Sequence, residues 1–184
     1  MVVSPLTRST DPHLHAFFEH CGGSDHCGSD PSSSHYIKAL HAVDVTTLVR
    51  FLVPLLNRLF QLLCCTALPE DVALNILRLF VHILTKLEGA SKMHFARSYV
   101  KFCFDASKIP PPTASSTKDT ASSTPTTHSL KTVHEEVMRH LPAFLLKDAA
   151  ADQTVFAAFL KHLWSVRHFL QTKVKYKKLT PQKL

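Results

Sequence analysis

The sequence predicts an all-α protein built from antiparallel helix pairs stacked on one another, as in an α-solenoid. Three observations lead to this fold class. Apolar residues recur every three to four positions over long stretches, which is the period of an amphipathic helix. No stretch alternates apolar and polar residues for long enough to build a sheet. The 184 residues also include only four glycines, which argues against a glycine-rich β-sandwich or a phosphate-binding loop.

Residues 35–106 form the first predicted helical block. Its first helix is short and ends near Val43, and Asp44 is suited to cap the helix that follows. That second helix contains Pro54, which predicts either a kink or a break into two shorter helices. The apolar faces comprise Tyr36, Ile37 and Leu40 in the first helix, and Leu48, Phe51, Leu52, Leu55, Leu59, Leu62 and Leu63 in the second.

Two further helices complete this block. Pro69 and the acids Glu70 and Asp71 suit the first turn of a helix, and Gly89 suits its C-terminal cap. A shorter, aromatic helix is expected from about Lys92 to Asp105. The predicted buried residues are Ala73, Ile76, Leu77, Phe80, Ile83, Leu84 and Leu87 in the longer helix, and Phe95, Tyr99, Phe102 and Cys103 in the shorter one.

The second predicted block covers residues 130–172. Thr132 and Glu135 fit a capping box, and Pro142 is expected near the end of the helix that they start. A last helix is expected from around Asp152. The apolar positions are Val133, Val137, Leu141 and Phe144 in one helix, and Val155, Phe156, Phe159, Leu160, Leu163, Val166 and Leu170 in the other.

The remaining stretches are predicted to lack a packed structure. Residues 1–34 are rich in Ser, Asp, His and Gly and form a mostly disordered arm, in which Leu14, Phe17 and Phe18 close at most one short helical turn. Residues 107–129 hold twelve Ser or Thr and four Pro, too few apolar residues to offset the chain entropy, so they form a linker and a candidate phosphorylation target. Residues 173–184 form a basic tail.

That tail carries most of the net charge of +7. Five lysines fall in the last dozen residues, which contain no acid, so the rest of the chain is not predicted to be a basic binding surface. The tail either stays solvated or contacts acidic lipid headgroups or phosphate backbones. Nucleic acid is not expected as a partner, because Tyr176 is the one aromatic residue in the tail.

The five cysteines and the apolar segments indicate a cytoplasmic chain. No signal peptide is visible at the N-terminus, so the odd set of cysteines is expected to be reduced. Cys64 and Cys65 lie in a leucine stripe without a neighbouring base, which favours buried inert thiols over a redox pair. The most apolar stretch, residues 48–63, is interrupted by charged and polar residues, and no transmembrane segment is expected.

A set of histidines and cysteines near the N-terminus is a candidate metal site. Zinc prefers imidazole and thiolate, but structural zinc sites usually separate two cysteines by two to four residues, whereas five separate Cys21 from Cys27. A mobile His-rich arm is favoured over zinc. The set contains His13, His15, His20, Cys21, His26, Cys27 and His35.

His134 and Glu135 match the start of a metalloprotease helix. Met138 stands where that motif needs its second histidine, and His140 is six residues on, so Glu135 is expected to serve as a capping residue. No catalytic, cofactor-binding or metal-binding residue is therefore predicted, and no cofactor.

Four stretches carry a distinctive combination of residues: His41 to Val43, Phe51 to Phe60, Arg97 to Lys101 and Lys131 to Glu136. Their order and spacing resemble the dedicator of cytokinesis family, most closely its zizimin branch. Asp11 to Cys21 also resembles the segment just ahead of these helices in the family. The resemblance covers residues 11–21, 35–109 and 128–164, roughly two thirds of the chain.

The resemblance implies an armadillo-like helical region from a guanine-nucleotide exchange factor for Rho-family GTPases. In that family this region lies between a lipid-binding C2-type domain and the exchange domain, and the exchange domain is absent here. Expected partners are the flanking domains, a GTPase reached only through the missing domain, a second copy in a homodimer, and an acidic membrane touched weakly by the lysine tail. The expected localisation is cytoplasmic, with recruitment to membrane.

Two departures from the family pattern indicate a fragment. Residues 20–25 and 26–30 are a near duplication, and the sequence beyond Trp164 turns basic where the family continues with aromatic helix. Both ends are therefore expected to be fragment boundaries. The competing hypothesis is a stand-alone cytosolic helical adaptor whose tail binds acidic membrane or nucleic acid.

Overall fold

The computed structural model of the chain describes residues 11–21, 32–65, 68–104, 133–151, 153 and 157–162. These residues form helices and turns without a strand, which confirms the all-α prediction. The linker at 107–129 and the tail at 173–184 lie outside the described residues. The helices are α1 (Pro12–Cys21), α2 (Ser32–Ala39) with a 3-10 turn (Leu40–Ala42), α3 (Val45–Leu63), α4 (Glu70–Gly89), α5 (Met93–Ser98) with a π-helical turn (Tyr99–Cys103), and α6 (Val133–Ala151); residues 157–162 are also helical.

The first helix, α1, is longer than the single turn that the sequence predicted. Asp11 caps it, because its Oδ1 accepts the N–H groups of His13 at 2.9 Å and Leu14 at 3.1 Å. Pro12 then supplies a φ angle suited to a first helical position. Leu14 and Phe17 are buried where α1 packs against α2. Part of the arm predicted to be disordered is therefore a packed helix.

The start of α3 confirms the predicted cap. Asp44 Oδ2 accepts the N–H groups of Thr46 at 2.8 Å and Thr47 at 3.2 Å, and the hydrogen bond from Thr47 is the main cause that lowers the Asp44 pKa. The helix continues through Pro54 without a break, which excludes the division into two helices; the other predicted alternative, a kink at Pro54, stays a prediction. An interior proline costs about 3 kcal/mol. The burial of eight apolar side chains along α3 offsets that cost.

The next helix, α4, begins where the sequence predicted, with Pro69 as the cap residue and Glu70 and Asp71 in the first turn. Its predicted apolar stripe is buried except for Phe80, which is half-buried. Further positions outside that stripe are also buried, so α4 is covered on nearly every side. The additional buried residues are Val72, Leu74, Asn75, Leu79 and Val81.

The end of α4 differs from the prediction in one detail. Gly89 is the last helical residue, and Ser91, two residues later, adopts the left-handed conformation with φ of 57°. The N–H of Lys92 reaches the Leu87 carbonyl at 2.7 Å, and the N–H of Ser91 reaches the Glu88 carbonyl at 2.8 Å. This is the Schellman pattern of hydrogen bonds, with serine in the place that usually holds glycine.

The aromatic segment after α4 is helical and buries Tyr99 as predicted, but the prediction of burial is wrong for Phe95, Phe102 and Cys103. A π-helical turn follows α5, and the Phe104 N–H donates to the Tyr99 carbonyl, five residues back, at 2.8 Å. The wider turn changes which residues share a face with Tyr99. Tyr99 and Phe104 are consequently buried, whereas Phe95, Phe102 and Cys103 are exposed.

The helix α6 extends nine residues beyond Pro142, which the sequence placed near its end. Val133, Val137 and Phe144 are buried as predicted. Thr132 lies outside the described residues, so the predicted capping box stays a prediction.

The final helical segment, residues 157–162, agrees with its prediction only in part. Phe159 is buried and packs edge-on against Phe144, with ring centroids 5.4 Å apart, whereas Leu160 is exposed. The other apolar positions predicted for this helix lie outside the described residues. They are Val155, Phe156, Leu163, Val166 and Leu170.

The helices are arranged around α4, which packs against α2, α3, α5 and α6. The buried side chains of all these helices form one hydrophobic cluster. The Tyr99 hydroxyl donates to Asn57 Oδ1 at 2.7 Å and joins the π-helical turn to α3. Burial raises the pKa of this phenol strongly, so the hydroxyl remains a donor at neutral pH.

A polar seam attaches α2 and its 3-10 turn to α4. The Lys86 ammonium donates to the carbonyl oxygens of His41 and Val43, both at 2.8 Å. His82 Nε2 lies 3.2 Å from the same His41 carbonyl and donates to it. Further along α4, Asn75 Nδ2 donates to Ser34 Oγ at 2.7 Å. We call the His41, His82 and Lys86 contacts the lysine seam.

The pKa values of both imidazoles of the lysine seam are lowered. Their ring centroids are 4.6 Å apart, and partial burial is the first cause that lowers the pKa of each one. The Lys86 charge lowers both further, and Arg78 acts in the same direction on His41. Protonation would therefore place like charges side by side in this seam.

We expect Ser91→Gly to raise the free energy of unfolding by about 1 kcal/mol, because glycine adopts positive φ without the steric cost of a Cβ atom. Urea unfolding followed by circular dichroism measures the change. Ser98→Gly is the matched control, since Ser98 is exposed with helical angles and glycine there should destabilise by about 0.5–1 kcal/mol. Equal effects at the two serines would contradict this account of the α4 terminus.

We expect the free energy of unfolding to decrease as the pH falls below about 6.5. The pKa values of His41 and His82 are lowered in the folded chain, so the unfolded chain takes up protons first as the pH falls. The contribution of the two histidines to the free energy of unfolding is therefore fully present only above the ordinary histidine pKa. Urea titrations across this range should show a shallower decrease for the double variant His41→Gln/His82→Gln. Some slope should remain, because the pKa of His162 is also lowered.

The control for this pH series is His94→Gln, which removes an exposed imidazole of α5 that lies outside the seam. The double variant should reduce the pH dependence more than this control does. An unaltered slope in the double variant would show that the seam does not bind protons differently in the two states.

Candidate functional site

Three of the histidines in the candidate zinc site, His15, His20 and His35, contact neighbouring side chains. His15 Nδ1 lies 3.2 Å from Glu19 Oε2 on the surface of α1. His20 stacks on Tyr36 with ring centroids 4.3 Å apart, and its Nε2 lies 2.8 Å from Ser32 Oγ. Within the described ranges, no three or more His, Cys, Asp or Glu side chains are grouped to hold a metal ion. His26 and Cys27 lie outside those ranges.

The His134 and Glu135 pair stands on α6, as its sequence position implies. The His134 ring packs edge-on against Phe104 at 6.0 Å, and Met138 is exposed at the place where a zinc-binding helix needs histidine. His140 instead lies 3.6 Å from Glu136, which is buried beneath it. These side chains support the packing of α6 and do not converge on a shared point.

Cys64 and Cys65 agree with the prediction in burial, but they differ in redox state. Cys64 and Cys65 are both buried at the end of α3. Cys21, Cys64 and Cys103 are free thiols, whereas Cys65 is disulfide-bonded, so the prediction of reduced thiols is wrong at that position. Cys65 lies beyond the last residue of α3 and not inside the leucine stripe, which leaves its side chain able to reach a partner outside the helix.

A small apolar cavity lies between α3, α4 and α6. Its volume is about 20 Å³, and the lining side chains include Phe60, Leu77, Phe80, Val137 and Phe144. This space is close to that of one water molecule, and apolar cavities of this size stay dry. It is too small for a cofactor or substrate of ordinary size.

A second polar contact connects α4 to the C-terminal helices. Glu88 Oε2 lies 2.8 Å from Lys161 Nζ and 3.8 Å from His162 Nε2, and His162 is also 3.3 Å from Thr85 Oγ1. Burial is the first cause that lowers the His162 pKa, while Glu88 acts against it. At the other end of α4, Lys147 lies 2.9 Å from Glu70.

These pairs place the acids and bases of α4 and the C-terminal helices opposite one another. Hydrogen bonds from the two lysines are the main cause that lowers the pKa values of Glu70 and Glu88. Both carboxylates thus act as structural ion-pair partners, positioned on the surface between helices. Neither sits in a cleft where a perturbed carboxylate would indicate catalysis.

The exposed side chains of α5 and its π-helical turn are mostly basic or aromatic. Phe95 and Phe102 are exposed on α5 and its π-helical turn, Phe102 to 74%. Lys92, Arg97 and Lys101 are interspersed with them, and Lys101 Nζ lies 4.9 Å from the centre of the Phe102 ring. We call these five side chains the basic aromatic face. The small net charge of the body, from which the sequence predicted that it is not a basic binding surface, does not prevent charges from segregating, and that prediction stays a prediction.

A second exposed apolar row lies on α6 and the helical segment after it. Met138 and Leu146 are eight residues apart on α6, so they share one side of the helix, and Leu146 is 75% exposed. Leu160 is exposed nearby in sequence. This outer row is suited to helix-to-helix contact.

The helix α3 has the length and apolar composition that a membrane span requires, the one such helix in the described part of the chain. Its leucine stripe is buried against the neighbouring helices. Core helices of proteins that never enter a membrane have the same composition, so this match is weak as an indication of a span.

Comparison with known proteins points to one family. Residues 37–175 match the family model described as "DOCK6-11, TPR domain". The chain is 32% identical over 157 residues to dedicator of cytokinesis protein 9 of Mus musculus, and 31% identical over 158 residues to that of Homo sapiens. It is 33% identical over 105 residues to dedicator of cytokinesis protein 11 of Danio rerio. No solved structure matches it.

These alignments cover 84% of this chain with the first two relatives and 55% with the third. The chain spans only 7% of the length of the first two relatives and 5% of the third. The TPR description is consistent with the stacked all-α architecture, since TPR repeats are helix pairs in series. The chain belongs to the dedicator of cytokinesis family, in its group numbered 6 to 11, with residues 37–175 matching the TPR domain.

Proposed function

We propose that the chain is a non-catalytic helical scaffold segment of a guanine-nucleotide exchange factor that acts on Rho-family small GTPases. The observation that carries this proposal is the match of residues 37–175 to a TPR domain, a helical module that presents surfaces to other proteins. The packing supports it as well. Asp44, Lys86, Glu70 and Glu88 serve a cap, a seam and ion pairs between helices, and the described cavity holds about 20 Å³.

The scaffold acts by holding flanking domains of the parent exchange factor in position. The α4 helix is fixed to α2 by the lysine seam and to the C-terminal helices through Glu88, so the packed helices resist relative movement. The exposed row on α6, with Met138 and Leu146, offers the contact for a flanking helical segment. By the sequence resemblance, this segment lies between the C2-type and exchange domains in the zizimin branch, and the GTPase is reached only through the exchange domain.

A second candidate is an adaptor that contacts acidic membrane through the lysine tail. The five lysines among the last dozen residues favour it, because a polybasic segment near an anionic membrane gains about 1 kcal/mol per charge. Either candidate places the chain in the cytoplasm, with recruitment to membrane as the finer expectation.

We expect the chain alone to leave the release of a fluorescent GDP analogue from Rho-family GTPases unaccelerated, because it contains no residue that we assign to exchange. We also expect it to bind in trans to a form of the Mus musculus relative from which the aligned residues are deleted. Stopped-flow fluorescence measures the first result and analytical ultracentrifugation measures the second.

Leu146→Asp should weaken binding to the deleted relative by about tenfold or more, since it puts a charge into an apolar contact. Lys38→Gln, an exposed change on α2, is the control and should bind as the unaltered chain does. Acceleration of nucleotide release would contradict the absence of catalysis. Failure of the unaltered chain to bind the deleted relative would contradict the scaffold and leave the adaptor.

A further inference from the structure

The basic aromatic face is held in place by buried contacts beneath it. Tyr99 is buried and its hydroxyl donates to Asn57 Oδ1 of α3 at 2.7 Å. The Phe104 N–H closes the π-helical turn on the Tyr99 carbonyl at 2.8 Å. Because both ends of this turn are fixed to the core, Phe102 between them is directed outward. Its 74% exposure is a consequence of the fold and not of a loose chain end.

The same surface extends onto α3. Val53 precedes Asn57 by one helical turn, and Phe95 precedes Tyr99 by one turn, so both border the contact between these helices. Val53 and Phe95 are each 39% exposed. The apolar part of the surface is therefore continuous across two elements that pack together.

The charges of this surface have one sign. No Asp or Glu occurs in residues 45–69 or in residues 89–104, which include all of α3, α5 and the π-helical turn. Arg50 of α3 is exposed and adds a fourth cation to Lys92, Arg97 and Lys101. In the described part of the chain, Arg139, Lys147 and Lys161 form ion pairs with acids of α4 and α6. The four cations of this surface make none of these ion pairs.

We propose that the basic aromatic face binds an anionic lipid surface. Exposed phenylalanines flanked by lysines and arginines are typical of surfaces that lie at a bilayer interface, where rings enter the acyl boundary and cations reach the headgroups. The cations here stand at the ends of long lysine and arginine side chains. A fluid anionic surface requires no fixed geometry, whereas an acidic protein partner would require matched donors and acceptors.

The lysine tail provides a separate test of this assignment. It is far from the face in sequence and contains no phenylalanine. Purely electrostatic binding by the tail would depend on charge alone, while the face adds an apolar contribution from Phe95 and Phe102. The proposal is independent of the scaffold function, because it concerns the outer side of α5 and not the contacts of α6.

The experiment is co-sedimentation of the full chain with phosphatidylcholine vesicles, with and without phosphatidylserine. We expect binding only when phosphatidylserine is present. Lys101→Gln should weaken binding about fivefold, the effect of one charge near an anionic surface. Phe102→Ala should weaken it by about fivefold or more through lost apolar burial. Both side chains are exposed, so circular dichroism should show unchanged helix content.

Matched controls are available on other surfaces. Leu146→Ala removes an apolar side chain that is 75% exposed, nearly the same as Phe102, and Lys38→Gln removes one exposed cation from α2. Both control variants should sediment with the vesicles as the unaltered chain does. An environment-sensitive dye coupled to the exposed thiol of Cys103, next to Phe102, should shift its emission to the blue on binding. The signal of a Cys103→Ser chain treated in the same way is subtracted.

Three results would overturn the proposal. One is the absence of binding to phosphatidylserine vesicles at low ionic strength. Another is binding that is abolished by deleting residues 173–184 but unaffected by Lys101→Gln and Phe102→Ala, which would assign membrane contact to the tail. The third is binding to a polyglutamate peptide in place of vesicles, which would assign the face to an acidic protein partner.

Discussion

The structure depends on the burial of α4 on nearly all sides. Eleven of its twenty residues are buried, more than a single apolar stripe supplies, so one neighbouring helix cannot cover them. The helices α2, α3, α5 and α6 each cover a different side. The few polar residues of α4 that face these neighbours must then find partners, and Lys86 and Asn75 do so on α2 and its 3-10 turn. The side chains that take no part in this packing around α4 form the exposed surfaces.

Much of the fold follows from local signals in the sequence. The period of the leucine stripes predicts α3 and α4, and Asp44 and the acids after Pro69 predict where they start. The same kind of signal was present at Asp11 and Pro12, where a capping acid precedes a first-turn proline, but the His- and Ser-rich composition around it favoured disorder. The Schellman turn at Ser91 and the π-helical turn were not predictable, because each depends on tertiary contacts that oppose local preference.

The candidate surfaces were harder to predict than the helices. Net charge suggested that the body of the chain is not a basic binding surface, yet acids of α4 pair with lysines of α6 and of the segment 157–162 and leave the cations of α5 in excess. Net charge is a sum over the whole chain, so it does not show that paired and unpaired charges lie on different parts of the surface. The histidines illustrate the opposite error, since their number suggested a metal site, while His20, His41 and His82 each serve packing between helices.

The π-helical turn decides which aromatic residues belong to the core. In a regular α-helix, Tyr99 would share its side with Phe102 and Cys103, three and four residues on. In the π-helical turn, the Phe104 N–H bonds to the carbonyl five residues back instead of the one four residues back. This change brings Phe104 beneath Tyr99 and leaves Phe102 exposed. A relative that lacks one residue in this turn would bury the aromatic side chains that are exposed here and expose those that are buried, although its composition would be almost the same. Aligning family members by aromatic residues alone would therefore equate side chains that occupy opposite sides of the molecule.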